Sequence, residues 1–192
     1  MANREIVDED VRLLAGIAST LSVEYAAEDL AWAGSPFGWI KTRPSRQVGT
    51  IGEKLLAGYL AAKDFDVVKC PDSDADRIVS GVRAEIKFST LWREGFYMFQ
   101  QLRDQNYAVA ICLGLSPFDA HCWAIPKPVI MAGIGKVEGL APQHGGARGR
   151  DTAWLQVNPL AIPAWLGPYG GSLRRATEVL RGMVGRGGGR AR

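Results

Sequence analysis

Two strand-like runs, Asp76-Arg-Ile-Val79 and Val82-Arg-Ala-Glu-Ile-Lys-Phe88, are separated only by Ser80-Gly81. A two-residue junction containing glycine joins antiparallel strands in a tight hairpin, and the loop length sets the register. Taking Ser80 and Gly81 as the loop pairs Val79 with Val82, Ile78 with Arg83, Arg77 with Ala84 and Asp76 with Glu85. Further out, Asp74 would fall opposite Lys87. Directly opposed residues share a face, and period-two alternation puts Glu85 and Lys87 on that face too. The register therefore gathers two or three carboxylates and one ammonium into a single patch.

Elements on both sides extend this hairpin into a sheet. Phe65 to Cys70 is a β-branched run that reads as a strand. Tyr107 to Leu113 is apolar throughout and reads as a central strand buried on both faces. Ala120 to Ile125 is one more strand, stopped by Pro126-Lys-Pro128, and Thr152 to Val157 a late one. Helical spacing predicts a first helix over Val7–Leu30, with apolar Val11, Leu14, Ile17, Ala18, Leu21 and Tyr25 and acids in its first turn. A second helix is expected over Val48–Lys63. There Thr50-Ile-Gly-Glu53 fits a capping box, which gives Glu53 a structural explanation. A third is expected around Phe96–Asp104 and a short one over Leu173–Val184. The expected organisation is a helical segment at 1–34, a core at 48–165 and a C-terminal helix with a disordered basic tail at 166–192.

Charge is uneven along the chain. The net charge is +3. From Lys136 onward there are nine Lys/Arg against three acids, leaving fourteen bases and seventeen acids before it. An acidic front and a basic back point to a polyanion held mainly by the C-terminal third. Three scattered cysteines, Cys70, Cys112 and Cys122, make neither a disulfide framework nor a zinc site and read as small buried hydrophobes. No stretch approaches the roughly 20 apolar residues of a membrane helix, and the start lacks the basic-then-apolar order of a signal peptide, so a cytoplasmic protein is expected.

Like charges directly opposed in a sheet repel, so Asp76 facing Glu85 calls for a cation. Lys87 supplies part of it, and a divalent metal would supply more. Two carboxylate ligands with waters and a substrate phosphate make a magnesium site able to polarise a phosphodiester and acidify a water. Lys87 is placed to orient that water or steady the developing charge.

Pro71-Asp72 followed by Glu85-Ile-Lys87 resembles the signature of the PD-(D/E)xK nuclease superfamily, to which many restriction endonucleases belong. The order of a helix with Glu53, a strand, the Asp and Glu-x-Lys hairpin, a helix and an apolar strand also resembles that core, over roughly Val48 to Pro126. The acid of the signature falls on Asp72, Asp74 or Asp76, and the register favours Asp76.

The resemblance implies a restriction-endonuclease-like α/β domain with a mixed central sheet flanked by helices. It further implies Mg²⁺-dependent hydrolysis of double-stranded DNA, first of all by a restriction enzyme. Asp76 and Glu85 would bind metal, Lys87 would activate water, and Glu53 and a glutamine of the following helix (Gln100 or, preferred, Gln101) would assist. Cutting both strands implies a homodimer; the apolar face of the first helix is a candidate dimer element or, alternatively, a cover for the core. Arg43, Arg46 and Arg93 are candidate DNA contacts. So are His144, Arg148 and Arg150 in the glycine-rich loop Gln143-His-Gly-Gly-Ala-Arg-Gly-Arg150. A repair or junction-resolving nuclease of the same core, and a DNA-binding module without catalysis, are the rival readings.

Overall fold

The computed structural model describes residues 6–144 and 151–187. Its centre is a five-stranded mixed sheet of β1 (Val67–Lys69), β2 (Arg77–Val79), β3 (Val82–Thr90), β5 (Val109–Leu115) and β6 (Ala120–Pro126), in the order β1-β2-β3-β5-β6. Only β3 and β5 run parallel. A second, antiparallel sheet is formed by β4 (Tyr97–Leu102), β7 (Leu140–Gln143) and β8 (Thr152–Val157), in the order β4-β8-β7. The helices are α1 (Glu9–Trp32), α2 (Gly38–Lys41), α3 (Ser45–Ala61), α4 (Lys127–Gly133) and α5 (Leu173–Gly187). No helix among the described residues is long and apolar enough to cross a membrane.

The hairpin forms in the expected register: Val79 pairs with Val82, Ile78 with Arg83 and Arg77 with Ala84. Ser80 and Gly81 both take positive φ, 45° and 84°, as a type I′ turn requires. Every residue of β5 is buried, as its unbroken apolar sequence predicts. Alternation along β3 then sorts side chains to two cores. Ala84 and Ile86 join Ile111, Leu113, Leu56 and Leu60 between the central sheet and helices α3 and α5. On the opposite face Ala110, Cys112, Trp123 and Ile125 meet Tyr97, Phe99, Leu155 and Val157 of the small sheet. Helix α5 thus closes the main core through Ala176 and Leu180 rather than trailing from it. Its helical residues include Gly185–Gly187, where a disordered tail was expected; 188–192 lie outside the described residues.

Three further expectations give way to the structure. The segment expected as a helix over Phe96–Asp104 is strand β4. Its inward residues are Tyr97, Phe99 and Leu102, and the last is reached only through a register shift after Phe99, with Gln101 at φ 59°. Thr50 does not cap α3, which begins five residues earlier at Ser45, directly after Pro44. The cap of Glu53 disappears with it. Helix α1 does not cover the core: Val11, Leu14, Ile17 and Leu21 are each about half exposed or more, and Trp32 at its end is buried. The three cysteines are buried free thiols, as expected.

Candidate functional site

Strand β2 is short, and its pairing with β3 ends at Arg77 and Ala84. Beyond that point the outer edge of β3 is uncovered, and a cleft of about 720 Å³ runs along it. Ile86, Lys87, Phe88, Ser89 and Thr90 form its floor. Helix α3 supplies one wall with Arg46, Thr50 and Glu53, while Met98 and Gln100 of β4 supply the other. Lys41, Arg43 and Trp92 stand at the same cleft.

Asp76 sits where the ladder stops. Its N–H donates to the Ala84 carbonyl at 3.1 Å, and its Oδ2 accepts from the Ile86 N–H at 2.7 Å. The carboxylate takes the place that the next backbone carbonyl of β2 would have held, so Asp76 both terminates the pairing and lines the cleft. Of the three candidate acids only Asp76 is there. Asp72 is exposed and pairs with Arg83 at 2.5 Å, a contact that lowers its pKa to about 2. Asp74, expected opposite Lys87, instead gives its N–H to Asp72 at 3.0 Å.

Glu85 is 7% exposed and pairs with Lys87, Nζ to Oε1, at 2.7 Å. It lies beneath the cleft floor rather than in it. Burial pushes its pKa up, Lys87 opposes the shift, and the charge of Asp76 adds to it. Behind Glu85 lies Tyr107, whose hydroxyl is buried without a hydrogen-bond partner and whose pKa is raised, first by burial and then by the Glu85 charge.

Glu53 reaches the cleft from the other side of the sheet. It pairs with Arg77 at 2.8 Å, and both are largely buried. Arg77 had drawn no attention in the sequence, although alternation puts it on the face opposite Asp76, toward α3. Gly52, next to Glu53, allows the approach: a Cβ there would lie 2.0 Å from Cγ of Phe88. Any side chain would lift α3, and with it Glu53, from the sheet.

The remaining expected residues divide. Arg43 and Arg46 line the cleft. Arg93 is exposed on the turn between β3 and β4, one residue past Trp92. Gln101 is exposed and carries a hydrogen bond from Arg103 at 2.9 Å, away from the cleft; Gln100 is the glutamine that lines it. His144 is exposed at the foot of the β7–β8 connection, 3.3 Å from Asp151. Arg148 and Arg150 lie outside the described residues. Lys41, read only as part of a basic loop, lines the cleft and pairs with Glu28 of α1.

The donor set fits a hydrated divalent cation better than a protein-caged one. Among the described residues no three His, Cys, Asp or Glu side chains converge as a metal site. Asp76 lines the cleft and Glu85 lies beneath it, paired to Lys87; a metal held there would meet oxygen donors and keep most of its waters.

No family model matches the chain. No curated protein matches it either. Among solved structures, that of a bacterial homing endonuclease aligns over 75% of this chain and 98% of its own, with 13% identity and a TM-score of 0.46. At that distance the likeness carries no functional argument.

Proposed function

We propose that this chain is a Mg²⁺-dependent DNA endonuclease of the PD-(D/E)xK type. The observation that carries the reading is the junction of Asp76, Glu85 and Lys87 at the uncovered edge of β3, under a cleft that Lys41, Arg43 and Arg46 make basic. A carboxylate pair kept near a phosphodiester costs binding unless something cationic is held between them. A module made only to bind DNA has no use for it.

In this reading Asp76 and Glu85 hold the magnesium ion. When bound, it polarises the scissile phosphate and favours hydroxide over water as the nucleophile. Lys87, anchored by Glu85 beside the cleft, orients the attacking water and offers a positive charge to the developing oxyanion. Arg43 and Arg46 grip the backbone from the α3 side, which positions the reacting phosphate without reading bases. Glu53, paired to Arg77, holds the α3 wall in place and is a reserve ligand. A restriction role in the cytoplasm is our preferred setting, ahead of repair or junction resolution by the same site. Cutting both strands favours a homodimer. The apolar residues Val11, Leu14, Ala18 and Leu21 of α1 recur at three-four spacing and are exposed, as a helix-pairing seam requires.

The test is incubation with supercoiled plasmid in Mg²⁺, in EDTA, and with Lys87→Ala. Nicked and linear products that vanish in both controls are expected. Intact plasmid and intact branched substrates in Mg²⁺, with DNA binding retained, would overturn catalysis and leave a binding module.

A further inference from the structure

The outward face of the small sheet has a composition unlike the rest of the surface. On β4, β7 and β8 the exposed or half-exposed residues are Met98, Gln100, Gln101, Ala141, Pro142, Gln143, Thr152, Trp154 and Gln156, set among buried Tyr97, Phe99, Leu102, Leu140, Ala153, Leu155 and Val157. None of these nine carries a charge, yet four are glutamines and one is a threonine. The register brings Gln156 opposite Met98, and Gln143 opposite Thr152. A groove of about 380 Å³ crosses this face, lined by Met98, Gln143, Trp154 and Gln156 among others. Met98 also lines the candidate catalytic cleft, with Gln100 beside it, so the two surfaces are continuous.

We propose that this face reads base edges of duplex DNA, with Gln143 and Gln156 as specificity-determining residues; the inference rests on the nuclease reading of the adjoining cleft. A solvated sheet face normally stays soluble with lysine and glutamate, and glutamine offers no such charge. Glutamine does present a paired acceptor and donor that match adenine N6 and N7 in the major groove. A methionine and an alanine beside them suit the thymine methyl. Uncharged readers next to the basic rim of Lys41, Arg43 and Arg46 give a division in which charges hold phosphates and amides discriminate bases. The absence of carboxylates from the outward positions lets a polyanion lie against them. β-Strands are an established way to enter a groove, and three short twisted strands fit that use.

The experiment is cleavage of a duplex pool with a randomised segment, with sequencing of the ends, for the parent protein and for Gln143→Ala/Gln156→Ala. The parent is expected to cut at sites enriched in A·T pairs at fixed distances from the scissile bond. The double variant should lose about 5- to 150-fold of preference at each affected position, the range a bidentate contact commands. Gln156→Arg should move the preference at its position from adenine to guanine, which a merely unfolded variant could not do. A parent that cuts with a sequence preference left unchanged by these substitutions overturns the inference while leaving the nuclease intact. A parent that cuts without any preference overturns it as well. Absence of cleavage from every protein removes the nuclease reading and this inference together.

Discussion

On the helix side of β3, Ala84, Ile86 and Phe88 pack into an apolar core against α3, and Gly52 removes even a methyl group from the contact. On the other side, one residue away in each case, Glu85, Lys87 and Ser89 keep ionised and hydrogen-bonding groups inside the protein: the Lys87–Glu85 pair at 2.7 Å, and Ser89 Oγ accepting from the Met98 N–H at 3.0 Å. The same nine-residue strand is thus held by apolar burial on one face and by an ion pair and a hydrogen bond on the other. The two faces are separable by mutation. Changes on the helix side should act on stability, and changes on the polar side on chemistry, with Glu85 acting on both in opposite senses.

The largest effect is expected from Lys87→Ala, which should lower single-turnover cleavage by about 10²- to 10³-fold, the range for losing a preorganised charge. That is more than the melting temperature lost when buried Glu85 gives up its partner can explain. Equal loss of folding and activity would erase the distinction between the faces. Next is Gly52→Ala on the opposite side. A Cβ 2.0 Å from Phe88 Cγ must displace α3, at about 1–3 kcal/mol, or roughly 2–4 °C of melting temperature per kcal/mol. A thermal melt checks it, and an unchanged value would show that the close seat of α3 is not tightly packed.

Smaller again is the rim. Arg43→Ala with Arg46→Ala should weaken binding to all sequences alike and reduce the salt slope by about one per arginine, measured by anisotropy across a salt series. A changed sequence preference instead would make these residues readers.

The smallest and most diagnostic concerns Glu85. Its folded pKa lies above its unfolded value because burial disfavours the charge. The native state therefore binds the extra proton, and this group's contribution to stability is largest below the unfolded pKa and falls as pH rises through the folded one. Glu85→Gln should melt higher than the parent at neutral pH, and the gap should close toward pH 4, where both side chains are neutral. Cleavage should meanwhile be lost in the variant. A lower melting point at pH 7 would mean that Lys87 stabilises the carboxylate more than burial opposes it.

What the sequence disclosed and what it hid follow from the range of the forces involved. The β2–β3 register was readable because Ser80-Gly81 sets it locally, and β5 because an unbroken apolar run has few other uses. Asp76, Glu85 and Lys87 came together for the same local reason, three residues bound to one turn. Strand β4 was misread as helix because its bulge shifts Leu102 inward, leaving apolar residues at 98, 99 and 102 in a spacing that imitates a helical face. That error carried the choice of glutamine to Gln101, whose positive φ turns it out, when Gln100 keeps the alternation and lines the cleft. The start of α3 was missed because Thr50 offered a better capping sequence than Pro44-Ser45. The Glu53–Arg77 contact spans two elements 24 positions apart and has no local signature. Nothing in the composition of α1 distinguished a helix that covers this core from one left uncovered by it.

The seat of Gly52 on Phe88 has a mechanical meaning. With no side chain between them, α3 and β3 cannot slide or part without losing the contact, so Glu53, Arg46 and the strand floor move as one fixed jaw. The facing wall is seated as closely: a Cβ on Gly114 of β5 would lie 2.7 Å from the Tyr97 ring of β4, so both walls are fixed to the sheet between them. An inhibitor that wedged either wall from the sheet would therefore have to unfold part of the protein, and a ligand that fits the cleft must take the width it already has.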